Sequence, residues 1–315
     1  MKKILETGAS GFIGYNLCKY LSKSGLEVFG AVRSINSFLL KDFKYISVGN
    51  IDINTNWKNI LIDTDYIIHC AGAVHRMANK KDYNFYYSTN VEGTKNLAEQ
   101  AVKAGVKRLV FLSTIKVNGE STDKINDTKI FNNNSFPKPQ NNYEISKLEA
   151  EKVLWEISSR TGLEVVVVRL PLVYGNGVKG NLERLIKLVK SRIPLPLSLV
   201  ENQRSMLGID NLIDLLICCI DHSEVSGKTF LASDGEDLST PELIKLIASS
   251  MGKKANLFPF PISMLKFLAS VLGKREEINR LVGSLRIDNS YTKQILNWTP
   301  PVSVEEGIRR MVQGK

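Results

Sequence analysis

The sequence predicts an α/β protein, a doubly wound parallel sheet with a smaller, mainly helical C-terminal region. Three observations point there. Short apolar runs alternate with stretches of helical periodicity through the first half, the helical stretches end at glycines suited to a helix C-terminus, and the alternation loosens after Gly177, where seven of the ten prolines fall.

In chain order, the apolar runs are KKILET (Lys2–Thr7), LEVFGAV (Leu26–Val32), YISV (Tyr45–Val48), TDYIIHCAG (Thr64–Gly72), KRLVFLST (Lys107–Thr114) and LEVVVVRLPLVYG (Leu163–Gly175). They are short, continuously apolar and rich in β-branched residues, as strands covered on both faces should be. Between them, FIGYNLCKYLSKSG (Phe12–Gly25), NVEGTKNLAEQAVKAG (Asn90–Gly105) and NYEISKLEAEKVLWEISSRTG (Asn142–Gly162) read as helices. Right-handed crossovers then give a parallel sheet. Residues 1–175 make the sheet domain, with a return segment at about 205–235, and residues 176–204 and 236–315 make the smaller region. SMLKFLASVLGKR (Ser263–Arg275) is amphipathic and basic at its end, and reads as a packed core helix rather than a membrane-surface one.

Composition narrows the class. The 315 residues are 43% hydrophobic, enough for a full core, with no apolar run of 18 and no leader-like start, so a soluble cytoplasmic protein without a membrane partner is expected. Cys18, Cys70, Cys218 and Cys219 lack C-x-x-C spacing and read as reduced thiols; they and the scattered His69, His75 and His222 predict no metal site. The net charge of +10 is spread along the chain rather than gathered with aromatics, which argues against nucleic acid and suits an anionic small substrate.

TGASGFIG sets Gly8, Gly11 and Gly14 between the first strand and the first helix. Without side chains there, the backbone can approach a pyrophosphate, and the helix N-terminus supplies N–H groups and a favourable dipole. A dinucleotide also needs a partner at the adenosine ribose, commonly an acid after the second strand when the cofactor is NAD. Val28–Ser37 holds no acid and has Arg33 at that place, and an arginine can pair with a 2′-phosphate, so NADP(H) is favoured over NAD. If Arg33 instead lies over the adenine, NAD still binds. In YEISK, Tyr143 and Lys147 share a helix face, so Lys147 can favour the ionised tyrosine for proton exchange with a substrate hydroxyl or ketone.

With these motifs, and with HCAGAVH, YYSTNVEGT, FLSTIKVNG, RLPLVYGNG, QRSMLGIDNLID and LNWTPPVSVEEGI, nearly the whole chain resembles the extended short-chain dehydrogenase/reductases, in their NAD-dependent epimerase/dehydratase branch. The resemblance implies a Rossmann fold and C4 chemistry on a UDP-linked hexose or N-acetylhexosamine, for bacterial surface polysaccharides such as O-antigen. Two activities are open: a UDP-glucose 4-epimerase-like reaction, or a 4-keto reduction of the N-acetylquinovosamine type. It makes Thr114, Tyr143 and Lys147 catalytic. Gly8, Gly11, Phe12, Ile13, Gly14, Arg33, Asn50, Ile51, Ala71, Gly72, Asn90, Ser113, Tyr143, Lys147, Pro171 and Val173 would meet the cofactor. Ser113, Thr114, Asn181, Leu182, Arg204 and Arg280 would meet the substrate, Arg280 as the weaker match. Such relatives often dimerise through a four-helix bundle, which the helices after Asn90 and Tyr143 could form.

Some positions depart from that pattern. Asn118 replaces a common tyrosine, and Asn50-Ile51 replaces Asp-Ile. Ile115 and Lys116 stand where 4,6-dehydratases carry Asp-Glu, which disfavours that reading. A non-catalytic NADP-sensing or RNA-binding relative is disfavoured by the intact Thr114, Tyr143 and Lys147. Glu6, in the first strand, replaces a small apolar residue. It shares a face with Ile4, so it should be buried and either protonated or paired, with His69 as the expected partner.

Overall fold

The computed structural model describes residues 2–35, 39, 41, 43–74, 83–123 and 130–314. His75 of the quoted HCAGAVH motif lies outside them. The elements run β1 (Lys3–Thr7), α1 (Phe12–Leu21), β2 (Glu27–Val32), β3 (Lys44–Ser47), β4 (Tyr66–His69) and α2 (Tyr83–Tyr86). A π-helical turn (Tyr87–Glu92) leads into α3 (Gly93–Lys103), then β5 (Arg108–Thr114), a 3-10 turn (Ile115–Val117), α4 (Asn142–Thr161), β6 (Glu164–Leu170) and β7 (Leu172–Tyr174). There follow α5 (Asn181–Lys190), β8 (Arg204–Gly208), α6 (Ile209–Asp221), β9 (Lys228–Leu231), β10 (Asp237–Leu238) and α7 (Thr240–Ser250). The chain ends in α8 (Ile262–Val271), α9 (Arg275–Val282), α10 (Ser290–Leu296) and α11 (Val304–Gln313).

The main sheet has seven strands in the order β3-β2-β1-β4-β5-β6-β9, with every neighbouring pair parallel. Alternation sends Ile4, Ile68, Val110, Val166 and Val168 to one face, where Leu17 and Leu21 of α1 and Leu212 and Leu216 of α6 cover them. Leu5, Ile67, Leu109, Phe111, Val165 and Val167 go to the other, under Leu97 and Ala101 of α3 and Ala150 and Leu154 of α4. Both faces are thus dry, which explains why the strands read as continuous apolar runs. The last predicted run divides at Pro171, which has no N–H to give a ladder: β6 stays in the main sheet, while β7 pairs with β8 in a separate three-stranded sheet, β10-β8-β7.

α4 begins and ends as its sequence dictates. The Asn141 side chain accepts the Glu144 N–H at 3.1 Å, and Gly162 closes the helix at φ +77°.

Two expectations fail. α8 is not a packed core helix: Ala269 is its one buried residue, while Phe267 is 67% and Val271 70% exposed. Its apolar residues surround the helix, so Ile262 and Leu265 can meet the C-terminal core while Phe267 and Val271 face outward.

Nor does Glu6 meet His69. Glu6 is fully buried, but its register partner on β4 is Ile68, and Thr7 is the one opposite His69. His69 therefore faces the α3 layer, bonded to Thr7 Oγ1 at 2.6 Å and Thr94 Oγ1 at 2.9 Å. A one-residue offset in a strand changes the face. Glu6 instead accepts a long bond from Cys18 Sγ at 3.6 Å, and its Oε1 has no partner.

Burial raises the Glu6 carboxyl to about 8 against the weaker opposing pull of the Cys70 and Cys18 thiols, so it is mainly protonated at neutral pH. With the folded value above the unfolded one, the unfolded chain releases this proton first, and stability falls as pH rises from about 4.5 to about 8. Glu6→Gln should remove that dependence. Its stability advantage in urea melts should widen by roughly 3–5 kcal/mol between those limits, and a gap that stays constant with pH would overturn the assignment.

Candidate active site

The site forms where the C-terminal ends of β1, β4 and β5 meet α1 and α4, the usual ligand edge of a parallel α/β sheet. The glycine turn leaves β1 at Gly8, with φ +91°, and returns at Gly11, whose N–H donates to the Gly8 carbonyl at 2.8 Å. A Cβ on Gly8 would stand 2.8 Å from the Ala71 nitrogen, and one on Gly14 would stand 2.4 Å from the Gly8 carbonyl and 2.5 Å from Glu6 Oε1. Gly11 caps α1 without a side chain in the way, so the first-turn N–H groups of Phe12, Ile13 and Gly14 are not taken by a side-chain cap. These features fit a dinucleotide pyrophosphate.

Arg33 is exposed just beyond β2. Asn50 is exposed and Ile51 half-buried, with the Ile51 Cγ2 held so close that a Cβ on Gly93 would reach it at 2.8 Å. Asn90 sits in the π turn, nearly fully buried. Its side chain takes the Ala73 N–H at 2.7 Å and donates to the Ala73 carbonyl at 3.1 Å and to Ser146 Oγ at 2.9 Å. It thereby clamps the Ala71–Ala73 segment to α4, a use of an irregular helical turn common at functional sites. A Cβ on Gly72 would lie 3.2 Å from Asn90 Oδ1 and 3.8 Å from Lys147 Nζ, so the edge of β4 and the Lys147 face of α4 adjoin.

Thr114 ends β5, and its hydroxyl accepts the Lys116 N–H at 3.3 Å. Tyr143 lies in the first turn of α4, its ring 6.1 Å from that of Tyr86. Lys147 is 5% exposed with its ammonium 3.9 Å from the centre of the Phe111 ring. Pro171 and Val173 flank the start of β7, both half-buried.

The charges differ from expectation. Burial raises the Tyr143 hydroxyl to about 12, helped by Glu144 and Tyr86, and burial lowers Lys147 to about 7 against the opposing pull of Glu151 and Cys70. Within the protein the tyrosine is therefore not lowered, because burial, Glu144 and Tyr86 all oppose its ionised form.

Three substrate assignments change. The Ser113 hydroxyl donates to Glu151, inside the core rather than toward a sugar. Leu182 is buried in the C-terminal core, leaving only its backbone for a ligand, whereas Asn181 is exposed at the start of α5. Arg204 spends Nη1 on the Arg280 and Gly283 carbonyls, at 2.8 and 3.0 Å, holding the end of α9. Arg280, the weaker candidate by sequence, keeps a buried Nε without a partner, with Nη2 3.8 Å from Glu120 and from Glu276.

The sequence reading missed a buried network. Glu151 pairs with Arg169 at 2.6 Å and takes the Ser113 hydroxyl, while Arg169 also donates to Asn118 Oδ1 at 3.0 Å. Asn118, which replaces the tyrosine common at that position, is thus a buried structural group. The signal was present: Glu151 follows Lys147 by four residues on the face of Tyr143. Lys116, at the position of a dehydratase acid, pairs with Glu120 at 3.1 Å and Glu144 at 3.6 Å, and Ile115 is buried.

Known proteins agree with this architecture. Residues 4–232 match the NAD dependent epimerase/dehydratase family. A UDP-glucose 4-epimerase of Vibrio cholerae is 40% identical over 317 residues, spanning 99% of this chain and 95% of the relative. A UDP-glucuronate 4-epimerase of Thermodesulfobacterium geofontis is 27% identical, spanning 98% and 94%. Among solved structures, a UDP-N-acetylglucosamine 4-epimerase from Bacillus cereus superposes with a TM-score of 0.80 at 21% identity, over 99% of both chains. A UDP-glucuronic acid 4-epimerase from Bacillus cereus in complex with NAD gives 0.79 at 23%, over 99% and 96%. The fold, the glycine cradle and a relative at 40% identity lead to one conclusion: this chain belongs to the NAD-dependent epimerase/dehydratase family.

Proposed function

We propose that the protein is an NAD(P)-dependent 4-epimerase of a UDP-linked hexose or N-acetylhexosamine. The observation that carries this is the adjacency of Gly72, Asn90 and Lys147, which brings the cradle side of the sheet against the Tyr143–Lys147 face of α4. The 40% identical relative named for UDP-glucose supports the substrate class.

In this reading Tyr143 takes the proton of the C4 hydroxyl as C4 is oxidised and returns it when C4 is reduced on the other face. Thr114 hydrogen-bonds the C4 oxygen and holds it toward Tyr143. Lys147 stabilises the tyrosinate, a role that needs more positive charge than the protein alone provides. The nicotinamide would supply, when bound, the hydride acceptor and donor, and its oxidised ring would add positive charge to the site. Gly8, Gly11 and the first turn of α1 would hold its pyrophosphate, with Ala71, Gly72, Pro171 and Val173 along its length. Asn181 and Arg280 would meet the nucleotide diphosphate, in a substrate region drawn from residues 176–204 and 236–315.

A second reading has one observation in its favour. Arg33 stands exposed beyond β2 with no acid from Val28 to Ser37, which suits an exchangeable NADPH and hence a 4-keto-sugar reductase. Arg33→Ser should weaken NADPH binding by roughly tenfold while changing NADH binding little. Equal effects on the two in fluorescence titrations would remove Arg33 from the ribose site.

Tyr143→Phe should reduce turnover of UDP-sugars by roughly 10²–10⁴-fold and leave dinucleotide affinity near that of the wild type. Unchanged turnover would sink the mechanism. Incubation of purified protein with UDP-glucose and UDP-N-acetylglucosamine should interconvert the C4 epimers without net oxidation or reduction of cofactor. NADPH consumed one for one with a 4-keto sugar would replace the epimerase reading by the reductase one.

A further inference from the structure

α8 carries two apolar stripes. Ile262, Leu265 and Ala269 are turned toward the protein, the first two against the C-terminal core. Met264, Phe267, Leu268, Val271 and Leu272, spaced i, i+3, i+4, i+7 and i+8, form a second stripe, each between 44 and 71% exposed. Just upstream, Phe258 is exposed and its ring stands edge-on to Phe260, 6.4 Å between centroids. An outward apolar helix face of this width marks a surface that meets something.

Charge identifies what. Between Met251 and Arg275 the chain has five cations, Lys253, Lys254, Lys266, Lys274 and Arg275, and no carboxylate; the exposed Glu276 and Glu277 follow at once, so the stretch from Met251 to Glu277 keeps an excess of three positive charges, five less two. Lys266, Lys274 and Arg275 are exposed, on and immediately after the apolar helix. A second copy of this chain would bring two such basic segments together, which disfavours self-association. An anionic lipid surface satisfies both features, taking the apolar stripe among the acyl chains and the cations among the phosphates. No helix among the described residues is long and apolar enough to cross a membrane, so the contact would be peripheral. We propose that α8, with the Phe258–Pro261 segment before it, is a docking face for an anionic phospholipid membrane. α8 leads directly into α9, which carries Arg280 beside Arg204, so docking would hold the substrate region close to the bilayer.

The test is co-sedimentation of the full-length protein with phosphatidylglycerol vesicles and, separately, phosphatidylcholine vesicles. The protein should bind the first, bind the second far less, and be released as salt is raised. Phe267→Ser with Val271→Ser should weaken binding by roughly tenfold or more, and Lys274→Glu with Arg275→Glu should remove the preference for the anionic lipid. Both variants should keep wild-type circular dichroism and UDP-sugar turnover, which separates this result from any failure of the catalytic reading. Equal partition with and without vesicles would overturn the proposal. So would vesicle binding indifferent to these substitutions, or a wild-type dimer in sedimentation velocity that Phe267→Ser dissociates while vesicles bind neither form.

Discussion

The arrangement of the candidate active site depends on the buried Glu151–Arg169 pair. Both partners are largely removed from water, with the Glu151 side chain 2% and the Arg169 side chain 11% exposed, and their charges are 2.6 Å apart. That one contact ties α4 to β6, and through Ser113 and Asn118 to the end of β5 and the turn after it. Such a pair adds little net stability over a well-packed apolar substitute, yet removing one partner strands a buried charge at a cost of about 3–5 kcal/mol. It therefore acts mainly by fixing geometry. Tyr143 and Lys147 sit on the helix it anchors, and Thr114 follows directly after Ser113.

The same pair bears on the chemistry of Lys147. Buried over the Phe111 ring, that ammonium loses more from desolvation than it gains from its neighbours, and Glu151 is the largest influence acting to keep it charged. Tyr143 is in the opposite predicament, since its ionised form is opposed by burial and by Glu144. A site in which the base is too protonated and the lysine too easily discharged is not yet tuned for proton transfer at neutral pH. Positive charge entering near the tyrosine would favour its ionised form while favouring the neutral form of the lysine on the same helix face.

What could be read from the sequence was whatever local spacing encodes. Gly8, Gly11 and Gly14 announce a close backbone approach, and Tyr143 and Lys147 share a face because a helix repeats every 3.6 residues. The parallel, doubly wound sheet follows from the βαβ rhythm. What could not be read depended on register or on which side of an element packs. His69 was one residue out of line with Glu6, so it faced the opposite layer. Ser113 and Thr114 are neighbours on a strand, but Ser113 points into the core and Thr114 stands at its end. Leu182 and Asn181 divide in the same way at the start of α5. For α8, the periodicity allowed an apolar face without saying that there were two, and only the packing showed which one the protein itself covers.

Glu6 shows how a tolerated oddity is held in place. Its strand position puts it under the glycine turn, where Gly14 has no Cβ to collide with Oε1. The space that lets the backbone approach a phosphate is also the space that admits a longer side chain from below. A deprotonated Glu6 would set a negative charge beneath an anion site, and burial opposes that by keeping the carboxyl neutral. The neighbouring thiols of Cys18 and Cys70 can donate weakly to it but cannot ionise easily themselves, since burial raises both. The substitution is therefore compatible with an anion-binding turn for the same reason that it costs stability: the turn's floor is dry, and in a dry floor the acid holds its proton.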